Sequence, residues 1–403
     1  MQGTAAQRTV VYTFAMETPH KVIALALVLA GCFTLHAEPP SPPPTRAEIE
    51  DAMGLRSEGD VVRGQRDATG FVVTADQAED VISTAIRLEQ DAIEKRDQVL
   101  GLSPEKGFIG GVCPHDDHLY AARAYVHLTE RITAPRVVLI GVFHAARLWD
   151  LEDVVVFDEF EHWHGPWGPV RVDPLREDLI AGLGEASFVV DNAMHCREHS
   201  LEAIVPFLQR RNHEVSIIPI LVPYASWDRL SGLANELSTV LADVMDKNQW
   251  QLGRDLAIVV SSDAVHYGPD FDHAPFGTDA ASYQDAVDRD EQLARNHLAG
   301  TLEAEKLAKF EYTLVDREDV RSYKLPWCGR FSIPFGLELL RDLAAKTGLP
   351  APEGHFLRYA TSLSEPQLPV SPETLDTGLG TTAPSNLHHW VGYATIGFTV
   401  PVE

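Results

Sequence analysis

"LAIVVSSDAVHYGPDFDH", Leu256 to His273, passes from an apolar run to a cluster of polar residues. Leu256–Ser261 is short, uncharged and rich in Val and Ile, and it ends abruptly in Ser262 and Asp263, with His266 three residues further on. A run of this length and composition reads as a strand covered on both faces, as in a parallel or mixed sheet layered between helices. In open sheets of that kind, ligands bind beyond the carboxyl ends of the strands. Asp263 and His266 are therefore expected at a site, with His273 a loop residue at its rim.

The same grammar recurs along the chain. Further strand candidates are Phe108–Val112, Arg136–Val142, Asp153–Phe157, Val215–Val222, Phe356–Ser362 and Val391–Val400. Helical patterns lie between them at Ala75–Val99, Leu119–Arg131, Leu201–Arg210, Trp227–Met245, Ala280–Ala299 and Phe335–Ala345. This alternation predicts an α/β fold: a single domain with a mixed or mostly parallel central sheet flanked by helices. With no internal repeat and no break in composition after about Ala75, the domain is expected over 75–403.

Composition narrows the function. The chain has 403 residues, of which 59 are acidic and 33 basic, for a formal charge of -26. That balance argues against a nucleic-acid partner and leaves an unknown small molecule as the expected one. Four cysteines are too few for a disulfide framework, whereas 17 histidines invite a search for metal or acid–base chemistry. Near the N-terminus, "KVIALALVLAGCFTLHAEPPSPPP" has a basic start, a short apolar core and a Pro-rich exit. It reads as a secretory signal over 1–37, followed by a Pro-rich tether and linker over 38–74. Two processing routes stay open: "LAGC" would place a lipid on Cys32, the one membrane attachment expected, and cleavage after Ala37 would release the protein. Either route predicts an exported protein, periplasmic or lipid-anchored to the cell envelope.

Polar residues cluster after the strands. His115, Asp116, Asp117 and His118 follow the first, His144 the second, and Asp263 and His266 the central one. Glu198 and His199 stand at the expected start of a helix in "EHSLEAIVPFL", and Cys328 precedes a late one in "KLPWCGRFSIPFGLELL". Each has a plainer reading. Asp116, Asp117 and Glu198 suit helix caps; Cys328 alone suits a core; a single histidine after a strand is usually a hydrogen-bonded loop residue. His144 is harder to dismiss, because "LIGVFHAA" is otherwise apolar and an imidazole there needs a partner. "FEHWHGPWG" reads as a packed turn, and His388 and His389 carry a weaker signal still. Joint placement at strand ends is what raises these residues above the background.

In order, "CPHDDHLY", "LIGVFH", "EHSLE", "VPFL", "SIIPILV", "VVSSDAVHYG" and "WCGR" resemble the motifs of the Memo proteins, also called AmmeMemoRadiSam system protein B. The resemblance runs from about Phe108 to the C-terminus, and Memo proteins are in turn similar to the class III, LigB-type extradiol dioxygenases. It implies a LigB-dioxygenase-like fold and a metal held by His115, His144 and Cys328. Asp263 and His266 would lie beside it, His266 as acid–base. Glu198, His199, Asp116, Asp117 and His118 would support the ligands or touch substrate. Two imidazoles and a thiolate suit iron or copper, and zinc as well. The usual Pro-His-Ala-Gly-Tyr of the family is replaced here by "PHDDHLY", and its paired histidines are reduced to His144. The cavity is thus expected to be more acidic than usual near His115. Two functions follow: dioxygenase-like redox chemistry on a small aromatic or phenolic molecule, or metal or peptide binding at the envelope without turnover. Metal-assisted hydrolysis has less support.

Overall fold

The computed structural model describes residues 62–401. The signal, Cys32 and the Pro-rich stretch lie outside the described residues. No helix among the described residues is long and apolar enough to cross a membrane.

In chain order the strands are β1 (Val62–Arg63), β2 (Gly110–Cys113), β3 (Arg136–Val142), β4 (Val155–Phe157), β5 (His162–Trp163), β6 (Val170–Val172) and β7 (Phe188–Val190). They continue with β8 (Ser216–Val222), β9 (Leu256–Ser261), β10 (His266–Tyr267), β11 (Gly300–Thr301), β12 (Glu353–Thr361) and β13 (Trp390–Thr399). The sheet runs β1-β5-β6-β8-β3-β9-β2-β13-β12-β11. Its centre, β8-β3-β9-β2, is parallel, and β13 and β12 close one side antiparallel. The fold is therefore mixed α/β, as the alternation predicts.

Every residue of β9 is buried because both faces are covered. Ile258 and Val260 join the core beneath helices Trp227–Asn248 and Ser332–Lys346, while Ala257 and Val259 join the core beneath Ala75–Leu100 and His118–Thr129. Successive side chains of a strand point to opposite faces, so a strand between two cores has no polar positions to spare.

Three differences from the sequence reading bear on the site. Residues 62–74, expected as linker, are folded: β1 pairs with β5, and Phe71 and Val72 are buried. Arg63 is the anchor. Its guanidinium pairs with buried Glu202 at 2.6 Å, donates to the carbonyls of His195 and Glu198, and lies over the Trp163 ring. Trp163 thereby belongs to a strand, where a packed turn was expected. The helix expected from Leu201 begins at Val205, and Glu198 caps the end of the short helix Asn192–Arg197. Helices Leu175–Gly182 and Ala304–Leu314 were not anticipated.

Ala304–Leu314 buries a carboxyl, Glu311, whose Oε2 has no hydrogen-bond partner. Burial pushes its pKa up to about 7, against the pull of Arg317 and Lys324. The neutral form is favoured in the fold, so its contribution is full at acid pH and is lost as pH rises through about 7. Glu311→Gln is accordingly expected to be more stable than wild type above that pH, by on the order of 1 kcal/mol, with the gain vanishing near pH 4. Thermal melts across pH 4–9 check this; a difference independent of pH would contradict it.

Candidate metal centre

The parallel ladder brings the site together. Cys113 of β2 is level with Ser261 of β9, and both strands end there with the same polarity. His115 and Asp263 each stand two residues further on, so they leave the sheet at one height. His144 stands two residues past Val142, the end of β3. Cys328 arrives from the other side, in the turn before helix Ser332–Lys346. Gly329 permits that approach, since a Cβ there would lie 2.2 Å from the Ser262 hydroxyl.

The imidazoles are aimed by what their far nitrogens touch. Ser261 Oγ donates to the Ser200 carbonyl, leaving it to accept at 3.0 Å from His115 Nδ1. His144 Nδ1 donates to Glu198 Oε1 at 2.9 Å. With both Nδ1 atoms engaged as donors, both Nε2 lone pairs face the cavity, where His144 Nε2 lies 3.2 Å from Cys328 Sγ. The donor atoms of His115, His144 and Cys328 all lie within 4.8 Å of one another. Ligand atoms around one ion at about 2.0–2.3 Å stand roughly 3–4 Å apart, so this donor set fits a metal. Outer contacts such as Ser261 and Glu198 are what fix a metal-binding histidine's tautomer and orientation.

Glu198 is itself fully engaged. Besides the His144 ring, it accepts from the backbone N–H groups of His144, His199 and Ser200. Burial would raise its pKa, but His144 and these donors hold it well below the usual carboxylate range. It serves as the brace of His144 rather than as a ligand or helix N-cap.

Cys328 is set up as an anionic donor. Burial alone would push the thiol up, yet His266 and His144 beside it bring it well below its ordinary value. His266 lies 3.7 Å from Cys328 Sγ through Nε2, and its Nδ1 is 3.4 Å from the Ala264 carbonyl. Burial disfavours its imidazolium, but the Cys328 thiolate and Asp263 raise its pKa to about 9.

Asp263 Oδ1 accepts from the backbone N–H of His115 at 2.8 Å and of Asp116 at 3.2 Å, and Oδ2 lies 3.4 Å from His115 Nε2. Burial pushes its pKa up to about 6, with His115 pulling the other way. It pins the loop that carries His115. Asp116 accepts from the Tyr393 hydroxyl, and Asp117 from the N–H and hydroxyl of Thr382. Asp117 occupies the N-cap position of His118–Thr129 without making a side-chain cap bond, and burial together with Asp116 raises its pKa to about 7.

His199 stacks on His144 with ring centroids 4.8 Å apart, and its Nδ1 accepts from Arg66 at 2.9 Å. Burial, with His144 adding to it, lowers its pKa to about 3, so it faces the cavity as a neutral ring. Together with His115, His144, Asp263, His266 and Cys328 it lines a cavity of about 740 Å³.

Two expectations fail. His118 does not reach the cavity: its Nδ1 accepts from the Val72 N–H and its Nε2 donates to the Ala203 carbonyl, with Phe71, Tyr125 and Phe207 around it. Burial lowers its pKa to about 4, as befits a neutral core residue that ties the folded arm to the domain. His273 lines a different, smaller cavity, against Tyr267, and is not at this rim. Conversely, His389 does line the metal cavity, paired with Asp270 at 3.0 Å and packed on Phe271. Its only sequence signal was the His-His pair, too common to weigh. Arg66 and Phe71 came from residues expected as linker and had no signal at all.

The structure is a parallel-centred α/β sheet with His115 and His144 just past two strand ends and Cys328 in a facing turn, a group that could hold a metal ion. The chain belongs to the Memo-like protein family, whose family model matches residues 88–369. Among curated relatives, a MEMO1 family protein of Methanosarcina barkeri is 30% identical over 167 residues, covering 41% of this chain and 57% of that protein. A second, from Methanocaldococcus jannaschii, is 27% identical over 267 residues, covering 63% and 77% respectively. The matches thus span little more than half the length of several of these relatives. Among solved structures, the uncharacterized protein JW3007 from Escherichia coli K12 aligns with a TM-score of 0.35 at 9% identity, over 70% of this chain and 98% of that one. A likeness at that level adds nothing to the fold seen directly.

Proposed function

We propose that the protein is a non-haem metal-dependent oxidoreductase, dioxygenase-like in its chemistry, acting on a small phenolic molecule. The observation that carries this reading is the convergence of His115 Nε2, His144 Nε2 and Cys328 Sγ beside His266, on an open cavity. Three protein ligands leave room for exogenous groups, and the N,N,S donor set suits iron or copper, with zinc the redox-inert competitor. When bound, such a metal supplies redox chemistry toward dioxygen and Lewis acidity toward a phenolic hydroxyl.

The chain's own residues divide the remaining work. His266 holds or returns the proton of a hydroxyl group placed in the cavity, a role that its position beside Cys328 supports. Phe71 and Phe271 offer apolar faces to a ring. Asp67, Asp117, Asp270 and Asp272 line the same cavity, with Arg330 the one arginine or lysine among its lining residues. That imbalance disfavours anionic substrates such as phenolic carboxylates and favours neutral or ammonium-bearing phenols.

The test is oxygen consumption by protein loaded separately with ferrous iron and with copper, against neutral, cationic and anionic phenols. Consumption with the first two groups, abolished in His266→Gln while bound metal is retained, is the expected result. Retained metal with no consumption for any phenol would replace this reading with its alternative, a metal- or peptide-binding protein at the cell envelope.

A further inference from the structure

We infer that Asp290 is a positioning residue that holds Cys328 and His266 in register across the metal cavity. This rests on the reading of Cys328 as a ligand, and Asp290 itself does not line the metal cavity. Asp290 sits on helix Ala280–Leu298, on the far side of the two loops, and is 5% exposed. Its Oδ1 accepts from Trp327 Nε1 at 2.5 Å. Its Oδ2 accepts from the Val265 N–H at 3.2 Å and from the Tyr359 hydroxyl at 2.6 Å. Trp327 immediately precedes Cys328, and Val265 immediately precedes His266. One carboxylate thus grips the residue before the thiolate ligand and the residue before the acid–base histidine.

The segment of His266 is tied to β13 through the β10 pairing and through Gly392, which bonds Ala264 and Val265, but its link to the Cys328 segment is narrow. Val265 and Trp327 face each other as an isolated antiparallel bridge, and His266 N–H donates to the Pro326 carbonyl at 3.1 Å. A bridge of that kind lacks the repeated ladder that fixes register in a long strand pair. A contact from outside the bridge that joins the two segments thus adds to what sets the thiolate–imidazole spacing of 3.7 Å. Asp290 supplies it, and an ionised carboxyl is the group suited to do so: it only accepts, and here it meets three donors. A carboxamide in its place would turn an N–H toward one of them.

Burial of this carboxylate is only partly offset by its three donors. No lysine, arginine or histidine forms an ion pair with Asp290 among the described residues, and a buried charge without one opposes folding. Burial accordingly pushes its pKa up to about 6 despite the three donors. The return is geometric, in the spacing of two functional side chains that are 62 residues apart in the chain.

The experiment is titration of metal-free protein with cobalt(II) alone, followed by the thiolate-to-cobalt absorption band, with thermal melting in parallel. Asp290→Asn is expected to bind cobalt at least tenfold more weakly with a shifted band. Trp327→Phe, which removes the indole donor and spares the carboxyl, is expected to weaken binding similarly and serves if Asp290→Asn folds poorly. Adding Asp290→Asn to Trp327→Phe should cost clearly less than the two single losses combined, because the two act through one contact. Tyr359→Phe lowers thermal stability without touching either loop, and its cobalt affinity should stay within threefold of wild type. Affinity that follows melting temperature across all four variants, or is unchanged in Asp290→Asn, would overturn the inference while leaving the metal centre intact. Failure of the wild type to bind cobalt at all would instead overturn the metal reading, and this inference with it.

Discussion

Cys328→Ser is expected to lose bound iron or copper, with affinity at least 100-fold below wild type, while the protein stays folded. Cys328 provides the one anionic donor among the three, because His266 and His144 beside it hold the thiol well below its ordinary value against the opposing effect of burial. A serine hydroxyl keeps its proton under the same conditions and is a poorer match for these metals. His115→Ala and His144→Ala remove the other two donors and should lose metal in the same way. Elemental analysis of protein purified without chelator or affinity metal provides the reading. Because an ion that binds only the native state raises its melting temperature, metal should stabilise wild type and leave the three variants unmoved. Stoichiometric metal in Cys328→Ser would show that the ligand set has been wrongly assigned.

The second large effect is on stability and falls on a residue far from any ligand. Arg63→Ala is expected to destabilise the domain by about 3–5 kcal/mol, because it leaves Glu202 as a buried charge without its partner. Glu202 has further duties: its oxygens accept from the N–H groups of Arg66 and Asp67, so the pair also sets the path of the arm past His199. The variant should melt lower and become sensitive to protease between residues 62 and 74. Its metal affinity should change far less than in the ligand variants, since His115, His144 and Cys328 stand on other elements. Unchanged stability would mean that the arm contributes little to the fold despite its burial.

Much of the architecture was legible because the physics that forms it is local. Arg136–Val142 and Leu256–Ser261 have in the structure the bounds read from their apolar runs, since a strand covered on both faces excludes polar residues throughout and stops where they begin. Part of the candidate site was legible for a related reason, whereas His115, His144 and Cys328 as a ligand set were what the family resemblance implied. An imidazole or carboxylate directly after such a run sits at the carboxyl edge of the sheet, and the parallel pairing of β2, β9 and β3 puts all three edges on one side.

What remained hidden depends on contacts distant in sequence. His118 reads like His115 in the chain, yet one more turn of backbone carries it into the helix Ala75–Leu100 side of the core, where Val72 and Ala203 take both its nitrogens. Residues 62–74 carry no periodicity, and only Glu202 and Trp163, brought from other elements, make them part of the domain. Asp290 looks like an ordinary polar position on an amphipathic helix until Trp327, Val265 and Tyr359 converge on it.

The sequence by itself determined the layers, the strand ends and the kind of atoms found there, because burial and hydrogen-bonding demand act residue by residue. Only the tertiary structure decided which of those atoms share a cavity, which histidines are neutral struts and which carboxylate holds the ligands in register. Those properties belong to distances between side chains, and no single stretch of chain contains them.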